Sequence, residues 1–367
     1  MATLKDVASL AGVSRSTAGL VLSGRGDELR IGSACADRVR AAARELRYRG
    51  NYLARSLSVG RSHTIGFAMG FAEGRHHLYW WPIVEGAVVR SRTRGYDMLL
   101  LGMDDGRPSV EHALHSIEDH RIDALLVPEG RADRLATSGG RPWPVVLVNH
   151  VSEGGYPGVR LDERPGIEAA VEHLRALGHR RLIWIGMNEE GRERSPQRSR
   201  MLRESAGAAG MDVDEIRLTW DIAAPALEQR VGAHRAELER LFRPDREVTA
   251  AVCYNDAVAL ALLSILRDRG APAPADLSVV GFDDLWAGLA VPRLTTIRHE
   301  LGGIGAAAAD LAIDLVEGGG AYPCEREIAV PSSLVVREST GPVRGTVGAA
   351  GDEWRPVSCP AVGRGGE

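Results

Sequence analysis

The sequence predicts an α/β protein in which a small all-α head precedes a larger core of two lobes, each a doubly wound sheet. Short helical patterns interrupted by glycine occupy the first 48 residues. From His63 to about Thr340, apolar β-like runs alternate with amphipathic helical stretches. This alternation is typical of parallel sheets with helices on both faces. The strand candidates are too many for one such sheet, so we expect two lobes.

Four regions follow from these patterns. Residues 1–48 form the predicted helix-turn-helix head, and residues 49–61 form a polar and basic connector. Residues 62–340 form the two-lobed core, and residues 341–367 are rich in Gly, Pro and charge, which predicts a disordered tail. A length of 367 residues fits two or three domains.

Most strand candidates are continuously apolar, as is expected of strands that are buried on both faces. They are Thr64–Met69, Met98–Leu101, Ala124–Val127, Val145–Val148, Gly158–Leu161, Leu182–Gly186, Ile216–Trp220, Ala250–Tyr254 and Ser278–Phe282. Helical stretches between them include Pro165–Leu177, Glu228–Leu241 and Asp256–Arg269.

Charge is distributed unevenly along the chain. Residues 1–61 contain eleven Lys and Arg against five Asp and Glu, a net charge of +6. Since the whole chain carries −4, the remainder carries −10. A basic head on an acidic body indicates a polyanion as partner of the head, although a charge run is often only a solvated face.

Cysteine usage and the N-terminus bear on location. The four cysteines are widely spaced and form no CxxC pair, which favours free thiols in a reducing cytoplasm. The N-terminus has no apolar signal core, and no run reaches a membrane-spanning length. We therefore expect a cytoplasmic protein.

The head has the pattern of a helix-turn-helix. Residues 4–11 place apolar side chains at helical spacing, and Thr3 with Asp6 fits a capping box. Gly12 ends this helix, and Ser14 can cap a second helix directly after it. In a helix-turn-helix the second helix enters the major groove of DNA. A plain pair of antiparallel helices is the alternative.

The outward face of the second helix carries groups that can read DNA. Arg15 can contact guanine or phosphate, Ser16 can contact either kind of base edge, and Leu20 can touch a thymine methyl group. The remaining candidates for DNA contact in this motif are Thr3, Ser14 and Thr17.

Polar side chains recur where the predicted strands of the core end. In open α/β sheets, ligands bind outside the carboxyl ends of the strands. The recurrence therefore favours a site for a polar small molecule, although Asn and Asp are also good helix caps at such positions. The residues are Asn149, Asp162, Arg192, Arg198, Asn255, Asp256, Asp283 and Asp284.

Three other patterns predict no further chemistry. Gly303, Gly305 and Ala308 fit a dinucleotide fingerprint, but no strand and acidic partner flank them, so close helix packing is the preferred interpretation. His112, His115 and His120 lie on a polar helix without further metal ligands. Asp283 and Asp284 lack a nucleophile or base beside them. We expect no catalytic residue, no cofactor and no metal.

The motifs of the chain resemble those of the lactose-repressor/galactose-repressor (LacI-type) family of bacterial transcription regulators. The segment Thr3–Gly24 is similar to the family signature, and a third helix is expected at Ala36–Arg47. Further segments match in order over roughly residues 2–340, namely GNYLARSL, HTIGFAM, LGHRRLIWIG, YNDAVALALL, GAPAPADLSVVGFDD, PRLTTIRHELGGIGAAAADLAIDL and PSSLVVREST.

The resemblance implies a periplasmic-binding-protein-like core with crossed chain connections, an effector between the lobes and a dimer formed by the lobes. It also implies that GNYLARSL folds into a hinge helix on operator DNA, where Leu57 wedges between base steps of the minor groove. Asn51, Ala54 and Arg55 are the other hinge candidates. A small packing contact is the alternative role for Leu57.

The resemblance also implies effector contacts. Tyr79 and Trp80 match positions where the family often places aromatic rings over a ligand that is frequently a sugar. The implied polar contacts are Asp162, Arg192, Arg198, Asn255, Asp256 and Asp283.

These expectations combine into one function. We expect a DNA-binding repressor, with activation as the alternative, that binds double-stranded operator DNA as a homodimer or a tetramer and is controlled by a small polar effector. A sugar is favoured, and a nucleobase or another metabolite is the alternative. A solute-binding protein and a doubly wound enzyme are disfavoured by the head and by the lack of a catalytic constellation.

Overall fold

The computed structural model describes residues 2–22, 31–48, 60–70, 77–103, 109–128, 143–149, 156–189, 192–193, 196–219, 238, 248–318 and 326–343. The described residues divide into two compact units, one drawn from Met1–Leu161 and Leu301–Val330 and the other from Asp162–Glu300 and Pro331–Glu367. The chain therefore passes three times from one unit to the other, as expected of crossed connections.

The head contains helices α1 (Leu4–Ala11), α2 (Arg15–Leu22) and α3 (Ser33–Glu45). The predicted capping box is present, because the Thr3 hydroxyl accepts from the Asp6 amide and the Asp6 carboxylate accepts from the Thr3 amide. Gly12 follows α1 in the left-handed conformation (φ 66°), which confirms its predicted role. The third helix begins three residues before the predicted start at Ala36.

A small apolar core holds these three helices together. It consists mainly of alanine and valine, so the helices approach closely although each is short. Its buried members are Val7, Ala8, Ala11, Ala18, Val21, Ala36, Val39 and Ala42.

The first unit is built on a six-stranded sheet in the order β12-β5-β4-β3-β1-β2. The strands are β1 (Thr64–Gly70), β2 (Asp97–Met103), β3 (Ala124–Pro128), β4 (Val145–Val148), β5 (Gly158–Asp162) and β12 (Glu327–Pro331). The helices are α4 (His77–Thr93), α5 (Ser109–Glu118) and α9 (Leu301–Glu317). The pairs from β2 through β5 are parallel.

Helices α4 and α9 pack so closely that their backbones are in contact. A Cβ atom built on Gly305 would lie 1.8 Å from the Ile83 carbonyl oxygen, and one on Gly86 would lie 2.1 Å from the Gly302 carbonyl oxygen. Only glycine fits at such separations. The helix-packing interpretation of Gly303, Gly305 and Ala308 is therefore confirmed for Gly305.

Asp123 fixes the chain where the connector enters the first unit. Its carboxylate accepts from the Ser62 amide (2.7 Å), the Ser62 hydroxyl (2.9 Å) and the His63 amide (2.7 Å). Arg61 donates to the Val316 carbonyl oxygen at 3.0 Å. We call Arg61–His63 with Asp123 the entry clamp.

The second unit is built on a seven-stranded sheet in the order β13-β11-β10-β9-β6-β7, with β8 also paired to β6. The strands are β6 (Arg181–Glu189), β7 (Arg192–Glu193), β8 (Asp212–Thr219), β9 (Ala250–Cys253), β10 (Ser278–Asp283), β11 (Thr295–Arg298) and β13 (Ser333–Val335). The helices are α6 (Arg164–Ala176), α7 (Pro196–Ala208), α8 (Asp256–Asp268) and a 3₁₀ turn at Ala287–Leu289.

Apolar side chains cover both faces of this sheet. Helix α8 packs on one face, where Ile183, Ile185 and Ala251 are buried. Helices α6 and α7 pack on the other, where Trp184 and Phe282 are fully buried. Alternation along the strands explains why neighbouring residues face opposite helices. The structure thus confirms a doubly wound sheet in this unit.

The predicted strands are all present, but some bounds and elements differ. Strand β8 starts at Asp212, ahead of the predicted Ile216. The apolar pattern does not reveal its first residues because they mix acidic and apolar side chains. Strands β7, β11, β12 and β13 were not predicted. The predicted helix Glu228–Leu241 lies outside the described residues except for Leu238.

The end of the chain and the thiols complete the description. Val343 donates its amide to the Leu177 carbonyl oxygen, so packing in the second unit extends three residues past the expected boundary at 340. Residues 344–367 lie outside the described residues. Cys35 and Cys253 are free thiols. None of the helices in the described ranges is both long and apolar enough to cross a membrane.

We expect Gly305→Ala to lower the thermal midpoint of unfolding strongly. The new methyl group would clash with the Ile83 carbonyl oxygen, and overpacking of this kind costs roughly 3 kcal/mol. Gly302→Ala on the same helix is the control, because its Cβ would meet only the Pro82 carbonyl oxygen at 3.9 Å. Differential scanning calorimetry that shows equal midpoints for the two variants would contradict the close packing.

Candidate functional site

The residues of α2 that are candidates for DNA contact differ in their exposure to solvent. Arg15 and Ser16 are exposed, while Thr17 and Leu20 are half-buried. The Ser14 hydroxyl accepts from the Thr17 amide at 3.0 Å and lies 2.8 Å from the Thr17 hydroxyl. The predicted N-cap is thus confirmed. Contact of these residues with DNA stays a prediction.

The hinge candidates are not part of the described structure. Asn51, Ala54, Arg55 and Leu57 all lie outside the described residues. Their predicted roles rest on the sequence alone.

Arg198 lies at the carboxyl edge of the second unit's sheet and is almost fully buried. Helix α7 carries it in its first turn, and the residue is 8% exposed. Its guanidinium donates to both carboxylate oxygens of Glu163, at 3.1 Å from Nε, and Nη1 donates to the Tyr254 carbonyl oxygen at 2.6 Å. A second guanidinium nitrogen, Nη2, also pairs with Glu163. The geometry is a two-point ion pair.

Two aromatic rings flank the same guanidinium. Its Cζ atom lies 4.3 Å from the centre of the Phe282 ring and 5.2 Å from that of Tyr254. Both distances are within the range of cation–π attraction. The rings also exclude water, which strengthens the ion pair with Glu163.

The electrostatics of this pair are mutual. Burial alone raises the pKa of Glu163, but the charge and hydrogen bonds of Arg198 outweigh it and hold the pKa below the ordinary value. Burial by itself lowers the pKa of Arg198. The charge and hydrogen bonds of Glu163 raise this pKa by more, so it lies above the ordinary value. Both groups are therefore charged, and each charge is compensated by the other.

His299 lies between Glu163 and Asp283. Its side chain is fully buried, with Nε2 3.5 Å from a Glu163 oxygen and Nδ1 3.2 Å from an Asp283 oxygen. The ring also packs edge-on against Phe282. Sequence reasoning did not select Glu163 or His299, because only the fold brings them to Arg198.

Two consecutive residues with positive φ lie at the end of strand β10. Asp283, the last residue of the strand, has φ 98°, and Asp284, which follows it, has φ 60°, a region that residues other than glycine rarely adopt. The Asp284 carboxylate pairs with Arg298 (2.8 Å) and Arg337 (2.7 Å). Backbone strain of this kind clusters at functional sites. Asp283 points its carboxylate toward His299 and keeps 13% of its side chain exposed.

Asp162 and Asn255 serve as local caps. The Asp162 carboxylate accepts from the Arg164 amide at 3.3 Å, at the start of α6. The Asn255 side-chain oxygen accepts from the Val258 amide at 3.0 Å and caps α8. Both side chains are half-buried; Asp162 ends β5 of the first unit's sheet, whereas Asn255 follows β9 of the second unit's sheet. Capping and ligand binding are compatible, and the effector contacts of both residues stay predictions.

Asp256 is packed inward. It is 2% exposed, and its carboxylate accepts from the Thr296 hydroxyl at 2.6 Å and from the Leu285 amide at 3.0 Å. Gly281 makes room for it, since a Cβ there would lie 2.4 Å from Asp256 Oδ1. Burial, reinforced by Asp283 and Asp284, raises its pKa to about 7. These contacts favour a structural role over the predicted contact with an effector.

Of the remaining candidates, Tyr79 and Trp80 belong to the first unit and Arg192 belongs to the second. Tyr79 and Trp80 are half-buried in the first turn of α4, with ring centres 5.8 Å apart and edge-on geometry. Arg192 lies in β7, paired with β6. Within the described ranges, no group of three His, Cys, Asp or Glu side chains is placed to hold a metal ion.

We expect Asp256→Asn to alter how stability depends on pH. Because folding raises this pKa from 3.8 to about 7, the stabilisation from the neutral carboxyl is full below pH 3.8 and is lost as pH rises through 7. Relative to the variant, the wild type should lose roughly 2–4 kcal/mol between pH 4 and pH 8. Urea unfolding of both proteins at both pH values tests this, and parallel pH profiles would contradict it.

Two family models match the chain. One, described as bacterial regulatory proteins of the lacI family, matches residues 3–51. The other, described as a periplasmic binding protein-like domain, matches residues 171–340. The first covers the helix-turn-helix and the second covers most of the second unit.

Similar proteins match over nearly the whole chain. The transcriptional regulator GalR of Salmonella typhimurium is 30% identical over 345 residues, which cover 92% of this chain and 95% of GalR. The ribose operon repressor of Escherichia coli is 28% identical and covers 85% of this chain and 92% of its own length. The repressor PurR of Haemophilus influenzae is 26% identical and covers 92% and 98%.

Solved structures share the fold. The Lac repressor dimer bound to operator and an anti-inducer aligns with a TM-score of 0.72 at 24% identity, over 93% of this chain and 99% of that chain. The complex of the regulator CelR with cellobiose aligns with a TM-score of 0.57 at 25% identity, over 92% and 100%. The chain therefore belongs to the lacI family of bacterial regulatory proteins and is a DNA-binding transcription regulator that responds to a ligand.

Proposed function

We propose that this regulator is a repressor that binds a near-palindromic operator as a homodimer in the cytoplasm, acts without catalysis, and senses a small polyhydroxylated molecule, most simply a sugar. The observation that carries the choice of ligand is the cluster of polar groups around Arg198 at the carboxyl edge of the second sheet. Carboxylates and guanidinium N–H groups together both accept and donate hydrogen bonds, which matches the hydroxyl groups of a sugar.

Relatives support this choice. Their names include a ribose operon repressor and, among solved structures, a regulator in complex with cellobiose. A sugar also suits the aromatic pair Tyr79 and Trp80, because ring faces pack well on the C–H faces of sugar rings.

The direct test combines operator binding with a ligand screen. The gene's upstream DNA is used in a gel shift and in footprinting, with sugars and nucleobases added singly. Symmetric protection of two half-sites and a sugar-dependent change of affinity would support the proposal. Full affinity for a lone half-site would contradict the dimer, and a response to a nucleobase alone would contradict the sugar.

We expect Arg15→Ala to lower operator affinity by roughly tenfold or more and to relax specificity at one base position. Arg15 is exposed at the start of α2, where side chains reach base edges. Arg175→Ala, which removes an exposed arginine from α6, is the control. Fluorescence anisotropy on an operator and on single-base variants provides the measurement. Equal affinity of the two variants would show that Arg15 does not contact the DNA.

We expect Asp283→Asn to weaken binding of the sugar found in the screen by about tenfold or more. The Asp283 carboxylate is proposed to accept from a ligand hydroxyl, and a charged hydrogen bond is worth roughly 1.5–3 kcal/mol. Asp268→Asn at the end of α8 is the matched control, since Asp268 is an exposed partner of Arg267. Calorimetric titration that gives the same dissociation constant for both variants would remove Asp283 from the site.

A further inference from the structure

The Glu163 carboxylate occupies the position that an anionic ligand would take on Arg198. Glu163 Oε1 accepts from both Nε and Nη2, and Oε2 accepts from Nε. These nitrogens form the edge on which a guanidinium binds a ligand carboxylate or phosphate. With the bond from Nη1 to Tyr254, the pair uses three of the five guanidinium N–H groups. The other two N–H groups have no partner within the described ranges.

The surrounding charges do not favour a further anion. Asp283, whose charge acts on Arg198, adds a second carboxylate beside the pair. Two further cations of this unit, Arg298 and Arg337, both pair with Asp284. At Arg198 itself, an incoming anion would therefore meet two carboxylates and one cation that is already compensated.

We propose that Glu163 makes this regulator select its effector by charge. The regulator accepts neutral polyhydroxylated molecules and rejects molecules that would place a carboxylate or phosphate against Arg198. This inference rests on the proposed function. An anionic group would have to displace Glu163 and leave it buried without its partner, which is strongly unfavourable. A neutral hydroxyl can instead donate to a carboxylate oxygen and accept from a remaining N–H of Arg198.

Glu163 is thus a specificity-determining residue that acts through Arg198. Glu163 is the N-cap residue of helix α6. The next residue, Arg164, donates its amide to the Asp162 carboxylate, which fixes the local backbone. The Glu163 side chain is 15% exposed, so it lies at the boundary between the protein interior and the ligand edge. Its position explains how one carboxylate can both stabilise Arg198 and exclude a competing anion.

Chemical rescue by formate tests the first part of this proposal. Glu163→Ala leaves Arg198 buried without its anion and opens space beside it, and we expect its thermal midpoint to fall by about 5 °C or more. Sodium formate supplies a small carboxylate for the vacated position. We expect it to restore at least about half of the loss relative to sodium chloride of equal concentration, while the wild type shifts by less than about 1 °C.

Two variants control the rescue. Glu168→Ala removes an exposed carboxylate from the same helix, so it should neither lose stability to the same extent nor respond to formate. Glu163→Ala combined with Arg198→Gln removes both charges, so it should fold and ignore formate. If Glu163→Ala alone does not fold while the double variant does, the uncompensated charge is the cause, which supports the proposal. Absence of formate rescue in a folded Glu163→Ala overturns it.

Matched ligand pairs test the selectivity itself. D-galactose is compared with D-galacturonate, and D-ribose with D-ribose 5-phosphate, by thermal shift and calorimetry on the full-length protein. We expect the wild type to bind a neutral member at least about tenfold more tightly than its anionic counterpart, and Glu163→Gln to reduce or reverse that ratio, whereas Glu163→Asp keeps it. Preference of the wild type for an anionic member overturns the proposal.

The two proposals fail in different ways. If the protein binds its operator and responds to a sugar but the ratio is unchanged in Glu163→Gln, only the role of Glu163 is wrong. If neither a neutral nor an anionic sugar binds, the proposed effector class is wrong. The formate experiment alone then decides whether Glu163 compensates the charge of Arg198 at a position that another anion can take.

Discussion

The burial of one guanidinium organises the carboxyl edge of the second unit. Arg198 reaches from α7 to the N-cap of α6 through Glu163 and to the end of β9 through the Tyr254 carbonyl oxygen. Its Cζ atom also lies over the rings of Tyr254 and Phe282. A buried cation requires such compensation, so these segments hold one another in a single arrangement.

Much of the fold could be predicted from local pattern. Continuous apolar runs identified strands such as Val145–Val148 because both faces of these sheets are covered by helices. Capping residues identified helix starts, since Thr3, Ser14 and Asn255 each accept from an amide in the first turn that follows them. Such signals depend only on residues within a few positions, so they can be read without the fold.

Features that depend on distant partners could not be predicted. Strand β11 carries Thr295 and Thr296, whose buried hydroxyls are satisfied by Arg337 and Asp256, so it lacks the apolar signal of its neighbours. Glu163 lies 35 residues from Arg198 and resembles any solvated helix-cap acid in the sequence. Asp256 was grouped with the ligand candidates because it follows a strand, whereas its position after the Asn255 cap turns it toward Thr296. Residue type alone does not report these directions.

The entry clamp has a consequence for how such regulators diversify. Because one carboxylate holds the Ser62 and His63 amides, the start of β1 is fixed by contacts within the first unit itself. The Asp123 amide also donates to the Thr64 carbonyl oxygen, so the clamp is continuous with the sheet. A chain grafted at Arg61 therefore enters a core whose first strand is already aligned. These contacts make Arg61 a suitable junction for joining a different DNA-reading head to this core.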